Sequence, residues 1–361
     1  LTSDEYRWLG RSREFLAGLI AGDWGATLQT GHPGVTTMWT GSLGILYRYW
    51  TRPSSAPDGL LTFVQGVPNE PLDVAFIAPM RLPTVLLTSL LAVAVYLLVS
   101  RLFDDRRVGT VAALLLALNP FHIALSRILH HDALVTTFMT LSLLPLLGYW
   151  LQGWSRRWLL LSAIAAGLSF LSKSPAMFLM PFCALLGLIW AVRRWRGGEW
   201  LGWADAGRLM GDGLLWAAVA WLTVCLAWPA TWVVPPKVLS LVFGIGYQYV
   251  TEGHGKGNFF LGEITSNPGI LFYPVTWLLR TTPLALLGFL VWIAIWLRSI
   301  PNHRAQEVPG NRALAGMFLL YAVLFAGFMT TGEKKQDRYL LPVYPALEVL
   351  AALGLVQLAS I

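Results

Sequence analysis

The sequence predicts an all-α polytopic membrane protein: a bundle of about nine visible transmembrane helices with juxtamembrane helices at its outer face. Three observations carry the membrane reading. Hydrophobic residues make up 56% of the 361-residue chain and charged residues 12%, against about 45–50% and about 25% in a soluble domain. Mean hydropathy is +0.59. The apolar residues also stand in unbroken blocks, and one soluble core could not hide so many of them. Disorder, collagen and a disulfide-stapled secreted scaffold are excluded by the same figures. Cys183 and Cys225 fall inside apolar blocks and read as packed thiols.

The chain opens at Leu1 without a methionine or a signal peptide, which suggests a fragment lacking an initial transmembrane helix. Residues 1–78 read as an outer loop with juxtamembrane helices. Ser12–Ala21 alternates at helical spacing, and His32-Pro33-Gly34 opens an apolar run through Tyr49. That run is short for a span and rich in Trp39, Tyr47 and Tyr49, so it reads as an interfacial or re-entrant helix. Residues 79–361 form the transmembrane bundle. Its spans are Pro79–Phe103, Val108–Leu125, Ala133–Leu151, Trp158–Leu171, Ala176–Val192, Gly213–Val234, Thr276–Leu297, Ala313–Thr331 and Tyr339–Leu358. An outer loop covers 235–275, and the whole is one integrated domain.

Arginines collect in alternate loops, at Arg101, Arg106, Arg107, Arg156, Arg157, Arg193, Arg194, Arg196, Arg208, Arg298, Arg304 and Arg312. The positive-inside rule makes that side cytoplasmic. The outer side nonetheless holds every lysine: Lys173, Lys237, Lys256, Lys334 and Lys335. Long loops are exempt from the rule, so Arg7, Arg11, Arg13, Arg48 and Arg52 need no explanation. Arg81, Arg127, Lys173 and Lys334–Arg338 occupy short loops or span ends, where topology disfavours them. An anion outside, or in the outer leaflet, accounts for them.

Asp4-Glu5 has two readings. Thr2 with Glu5 fits a capping box, and a carboxylate at the outer surface fits a general base. Neighbouring helical residues diverge by about 100°, so one of the pair aims at a substrate; Asp4 is the choice, with Glu5 as support. Asp132 lies in the short loop Ser126-Arg127-Ile128-Leu129-His130-His131-Asp132, where it either caps the next helix or serves a site. Lys173, in Ser172-Lys173-Ser174-Pro175, either snorkels or binds phosphate, and Arg81 before Pro83 carries the same alternatives. Glu333-Lys334-Lys335-Gln336-Asp337-Arg338-Tyr339 crowds charge at the mouth of the last span, where Lys335, Arg338 and Tyr339 are phosphate-site candidates. Arg127 and Arg280 join that set, and Arg280, stranded near a span end, should face protein or a cavity. Strict metal-ligand spacing is absent, leaving His32, His131 and His254 as weak candidates for a divalent ion. Walker A, Rossmann and GxSxG patterns are absent too.

The order Asp4-Glu5, His32-Pro33, Arg81-Leu82-Pro83, Asn119-Pro120, Asp132-Ala133-Leu134, Ser172-Lys173-Ser174-Pro175 and Asp337-Arg338-Tyr339-Leu340-Leu341-Pro342 resembles one family. It is similar to the polyprenyl-phosphate-sugar-dependent glycosyltransferases of GT-C fold, in the protein O-mannosyltransferase and aminoarabinose transferase group. The resemblance implies a plasma-membrane enzyme whose active site faces the outer side. Its donor would be a polyprenyl-phosphate-linked sugar and its acceptor a hydroxyl- or phosphate-bearing protein, lipid or glycan, with inversion. Asp4 would match the family's base, Asp132 its second-loop acid, Lys173 and Arg338 its cationic or polar residues near the carrier, and Arg81 the arginine at the outer start of the span after the first loop. His-Pro-Pro is common where this chain has His32-Pro33-Gly34, and 235–275 is too short for a β-trefoil domain.

The chemistry agrees independently. A lipid phosphate carries its own activation, so neither a nucleotide nor another cofactor is required; a divalent ion remains an option, and no nucleic acid is involved. It needs cations for the developing phosphate charge and a carboxylate for the acceptor's proton. The alternative is a transporter or flippase of lipid-linked sugars. It needs no base, and mid-span ionisable residues and internal repeats, its usual marks, are nearly missing.

Overall fold

The computed structural model describes residues 2–53, 59–68, 73–199, 202–253, 255, 257–298 and 309–360. It begins with α1 (Ser3–Ala21), α2 (Val35–Trp50) and the short α3 (Leu60–Gln65), followed by α4 (Val74–Phe103). The bundle continues through α5 (Arg106–Ala117), α6 (Pro120–Ser126), α7 (His131–Gln152), α8 (Arg156–Ser172), α9 (Leu179–Arg196) and α10 (Trp203–Ala227). Next come α11 (Ala230–Val233), α12 (Pro235–Thr251) and an antiparallel hairpin of β1 (Asn258–Phe260) with β2 (Glu263–Thr265). It ends with α13 (Phe272–Arg280), α14 (Pro283–Arg298), α15 (Pro309–Thr330) and α16 (Tyr344–Leu358).

Six helices among the described residues are long and apolar enough to cross a membrane, or up to 8 spans if each of two bent pairs counts as one. The expected tally of nine is corrected on two points. Helix α8 has 17 residues, short for a straight crossing. Thr276–Leu297 is not one rod: α13 meets α14 at 118°. Thr281 is extended there (φ −90°, ψ 139°), and the ring of Pro283 disfavours helical backbone at Thr282. A 60° bend between α5 and α6 has the same origin. Asn119 leaves the helix, Pro120 starts the next, and the Asn119 side chain accepts from the N–H groups of Phe121 (2.9 Å) and His122 (3.1 Å).

Helix α7 is the centre of the bundle. Of its most apolar stretch 89% is buried, against 17% for α10 and 33% for α4, whose free faces are left to lipid. Helix α2 buries Val35, Met38 and Ile45 and packs beside α1 and α4, which seats both juxtamembrane helices on one end of the bundle. Gly34 makes the turn into α2 in a left-handed conformation (φ 54°), and a Cβ there would lie 2.0 Å from the Trp8 ring. Proline, held near φ −65°, could not adopt it.

Two ionisable groups do lie buried inside spans, against the expectation that such groups are nearly missing. Asp212 of α10 meets Arg156 at 2.9 Å and the hydroxyl of Tyr149. Glu348 of α16 accepts a hydrogen bond from the Asn119 amide at 2.7 Å.

Helices α14 and α16 touch backbone to backbone. A Cβ on Gly354 would stand 1.9 Å from the Gly288 carbonyl oxygen and 2.7 Å from the Trp292 nitrogen. Gly354→Val should therefore destabilise the bundle by about 1–3 kcal/mol, read as a lower thermal midpoint in detergent. Gly316→Ala, at a position with open space around it, should leave that midpoint unchanged.

Candidate functional site

The site is assembled from four distant stretches of chain at the end of the bundle where α1 and α2 sit. It starts with the first turn of α1. Thr2 is the N-cap and Glu5 closes a capping box, its Oε2 accepting the Thr2 N–H at 3.0 Å. Arg81 of α4 grips the same carboxylate with both arms, Nε to Oε1 at 2.7 Å and Nη2 to Oε2 at 2.8 Å. The Leu129 N–H adds a bond to Oε1 at 3.1 Å. Glu5 is fully buried. Burial alone would raise its carboxyl pKa, but Arg81 and the backbone donors hold it below the ordinary 4.5. Every lone pair within reach is used, so Glu5 ties α1, α4 and the 127–130 loop together and is not free to take a proton.

Asp4 points elsewhere, as its position on the helix requires. It accepts from Arg338 Nη1 at 2.9 Å and lies 3.6 Å from His130 Nε2, with its side chain 32% exposed. Burial pushes its pKa up, but Arg338 and then His130 and Arg7 outweigh this and leave it below 3.8. Asp4 is ionised and reachable.

Asp132 stands in the first turn of α7 and is not the N-cap; His130 is, accepting from the Asp132 N–H at 3.4 Å. The Asp132 carboxylate is thereby left for cations. Lys173 Nζ donates to Oδ1 at 2.5 Å, and Arg338 Nε lies 3.3 Å from Oδ2. The guanidinium of Arg338 therefore bridges Asp4 and Asp132. Lys173 does not snorkel outward: it is buried, its Nζ 3.9 Å above the ring of Tyr339. Burial lowers its pKa, and Asp132 opposes that fall.

Asp4, Asp132, Lys173, Arg338 and Tyr339 thus converge, with Glu5 and Arg81 behind them. Other candidates do not join. Lys335 is buried in its own loop, donating to Asn267 Oδ1 (2.8 Å) and the Gly332 carbonyl (2.6 Å). Arg280 pairs with Asp337 at 2.7 Å. Together with Arg338 it lines a neighbouring cavity of about 530 Å³ walled by Phe260, Phe272 and Thr276. Arg127 is exposed at the end of α6, away from the cluster. His254 lies outside the described residues.

Three contributors escaped the sequence reading. His130 touches both carboxylates. Arg7 and Arg11 follow Asp4 at i+3 and i+7 along α1, a spacing that puts them on its face. Arg7 acts on the charge of Asp4, and Arg11 lies against the Trp8 ring at 4.6 Å. With Lys334 above the Tyr249 ring at 3.8 Å, cations outnumber the carboxylates Asp4 and Asp132. An arrangement of this kind favours a polyanion.

His32, His131 and His130 stack in a row, their ring centroids 6.1 and 4.1 Å apart, and His32 Nε2 bonds the Tyr249 hydroxyl. His130, His131 and Asp132 place ligand atoms within 4.8 Å of one another. Asp132 already faces Lys173 and Arg338, so a divalent ion there would have to displace at least one of them.

Comparison with known proteins bears on the fold that carries these residues. Residues 75–204 match the family model of dolichyl-phosphate-mannose-protein mannosyltransferase. An undecaprenyl phosphate-alpha-4-amino-4-deoxy-L-arabinose arabinosyl transferase of Pseudomonas aeruginosa (strain UCBPP-PA14) is 28% identical over 283 residues, 77% of this chain and 46% of that protein. A transferase of the same name from Pseudomonas paraeruginosa is 35% identical over 153 residues, 41% of this chain and 25% of that one. The crystal structure of ArnT from Cupriavidus metallidurans bound to undecaprenyl phosphate superposes with a TM-score of 0.62, at 18% identity, over 99% of this chain and 56% of its own. The Archaeoglobus fulgidus oligosaccharyltransferase gives 0.52 at 14% identity, over 98% and 45%. The chain spans about half the length of the curated relatives it matches. The GT-C resemblance read from the motifs holds: the chain has the all-helical membrane fold of these glycosyltransferases.

The histidine row makes stability depend on pH. Burial, with Lys173, Arg11 and Lys334 adding to it, pushes the His32 pKa from 6.5 down to about 3. The unfolded chain therefore binds a proton at this residue below pH 6.5 that the folded chain refuses, and stability falls as pH drops through that window. The Asp4 and Glu5 pairs work at lower pH; their stabilisation is present above the ordinary carboxylate values and is lost as pH falls through the depressed ones. Thermal midpoints measured from pH 7 to pH 4 should decline in the natural chain and decline less in His32→Gln.

Proposed function

We propose that this chain forms the catalytic part of an inverting membrane glycosyltransferase that moves a sugar from a polyprenyl-phosphate carrier to an acceptor at the outer face of the plasma membrane. The observation that carries the reading is the Arg338 fork between Asp4 and Asp132, with Lys173 beside it. The similarity to an undecaprenyl-phosphate-sugar transferase and to the dolichyl-phosphate-mannose-protein mannosyltransferase family model supports the donor class.

The parts divide as follows. Lys173 and Arg338 face the carrier phosphate, which competes with Asp4 and Asp132 for these two cations. As the bond between the anomeric carbon and the phosphate oxygen breaks, negative charge grows on phosphate and these cations stabilise it. The acceptor oxygen attacks from the opposite face of the sugar, and its proton passes to Asp4, which Arg338 then no longer holds. Asp132, almost fully buried, keeps Lys173 and Arg338 in position. Phe170 and Ala176 bracket Lys173 in the chain and line an apolar groove of about 240 Å³ with Trp216, Trp221 and Phe243. An apolar groove leaving a phosphate site suits a polyprenyl tail. No cofactor has a step in this scheme.

The test uses the full-length enzyme in proteoliposomes with a labelled undecaprenyl-phosphate sugar. Asp4→Asn should lower turnover by about 10²–10⁴-fold while donor binding persists, and Arg338→Lys should weaken donor binding by losing the fork. Glu5→Gln should lower the thermal midpoint instead, because it leaves Arg81 buried against a neutral partner. Normal transfer by Asp4→Asn would remove the base from the scheme. Translocation of the labelled lipid without transfer would replace the enzyme with a transporter.

A further inference from the structure

A groove on the far side of the 127–131 loop carries unspent polar groups. It lies between α4, α5 and α6, has a volume of about 220 Å³, and is lined by Ser89, His122, Ser126 and Arg127 among Val85 and Leu116. Its walls belong to membrane-crossing segments. Ser89 sits eight residues below Arg81 on α4, about 12 Å along the axis at 1.5 Å per residue. The groove therefore reaches from the surface of the bundle down to the depth where a lipid's head group gives way to its chains.

Two observations point to a ligand. The Nε2 atom of His122 has no hydrogen-bond partner among the described residues, although the residue is only 4% exposed. A buried polar atom left so is destabilising unless a ligand supplies its partner. Arg127, at the rim, has no carboxylate or hydrogen-bond partner for its guanidinium among the described residues. It is also one of the cations that membrane topology disfavours at this end, and the site around Asp4 and Asp132 does not use it. The volume is below the about 300–1,000 Å³ of a pocket for a drug-sized ligand, which suits a head group rather than a whole lipid.

We infer that this groove binds the phosphate-bearing head of a phospholipid from the leaflet on the site side, independently of the proposed reaction. Arg127 takes the phosphate, and His122 with the Ser89 and Ser126 hydroxyls takes the glycerol and ester oxygens. The chains then run down the apolar wall that α4 and α5 present. The groove also adjoins the site through one short stretch: α6 runs into Leu129, whose N–H holds Glu5, and into His130. A lipid seated there braces the loop that positions the carboxylates.

Binding can be followed by thermal-shift titration of the full chain in detergent with dihexanoyl phosphatidylglycerol, and in parallel with inorganic phosphate. The lipid should stabilise the natural chain at concentrations where inorganic phosphate does not. Arg127→Gln should weaken the apparent lipid affinity about tenfold, the loss of one charged hydrogen bond. His122→Phe, which keeps a ring and removes the nitrogen, should weaken it by a smaller factor. Unchanged affinity in Arg127→Gln overturns the inference. Equal stabilisation by inorganic phosphate overturns the lipid assignment in favour of a free anion. Arg127 is exposed, so its variant decides the matter even if His122→Phe does not fold.

Discussion

The structure depends on the cost of a charge removed from water. Asp132 is 1% exposed and Lys173 4%, and neither could persist ionised at that depth without the other. Their pair is joined by Arg338, which reaches Asp4 as well. Positions 4, 132, 173 and 338 come from α1, α7, the break before α9 and the turn before α16, so satisfying these charges also closes one end of the bundle. Fold and site are the same set of contacts there. The set is not neutral, since Arg7, Arg11 and Lys334 stand near it with no carboxylate ion pair of their own among the described residues, an imbalance that favours an anion.

The division of labour between Asp4 and Glu5 follows from helix geometry and hydrogen-bond arithmetic. One residue apart, they face directions about 100° apart. Glu5 turns into the protein, where a capping N–H, a loop N–H and the two arms of Arg81 occupy its oxygens. Asp4 turns to the open side and meets a single arm of Arg338. A carboxylate saturated with donors has no lone pair for an incoming proton. One held by a single movable arginine does, once a stronger anion claims that arginine. The sequence motif Asp-Glu thus encodes an anchor and an open carboxylate in adjacent positions.

Much of this was legible in the sequence, for physical reasons that can be named. Apolar block length announces membrane helices because the hydrocarbon thickness sets it. Lys173 and Arg338 stood out because they oppose the charge bias that orients the chain. Lys335, Arg127 and Arg280 stood out by the same test, yet a one-dimensional test of charge and sidedness cannot say which cation turns inward. Lys335 is consumed by its own loop, and Arg280 by Asp337. Arg7 and Arg11 were passed over because long loops are exempt from topology bias, although their helical spacing from Asp4 was there to be read. His130 was obscured because the alternatives weighed for this loop, a cap or a site, were both given to the acid Asp132; a histidine caps α7 instead.

The proline breaks explain the buried glutamate that a transporter reading would otherwise claim. Leaving α5 at Asn119-Pro120 frees backbone groups in a region with little water to satisfy them. The Asn119 carbonyl oxygen takes two of the freed N–H groups, which leaves its own amide pointing into the bundle. Glu348 on α16 meets that amide at 2.7 Å. Its presence mid-span follows from the bend, because an apolar residue there would strand the Asn119 amide in hydrocarbon. The bend in turn sets the course of α6, and α6 delivers Leu129 to Glu5 and His130 to both aspartates. A polar pair deep in the bundle is thereby connected to the placement of the Asp4 carboxylate without any charge having to move across the membrane.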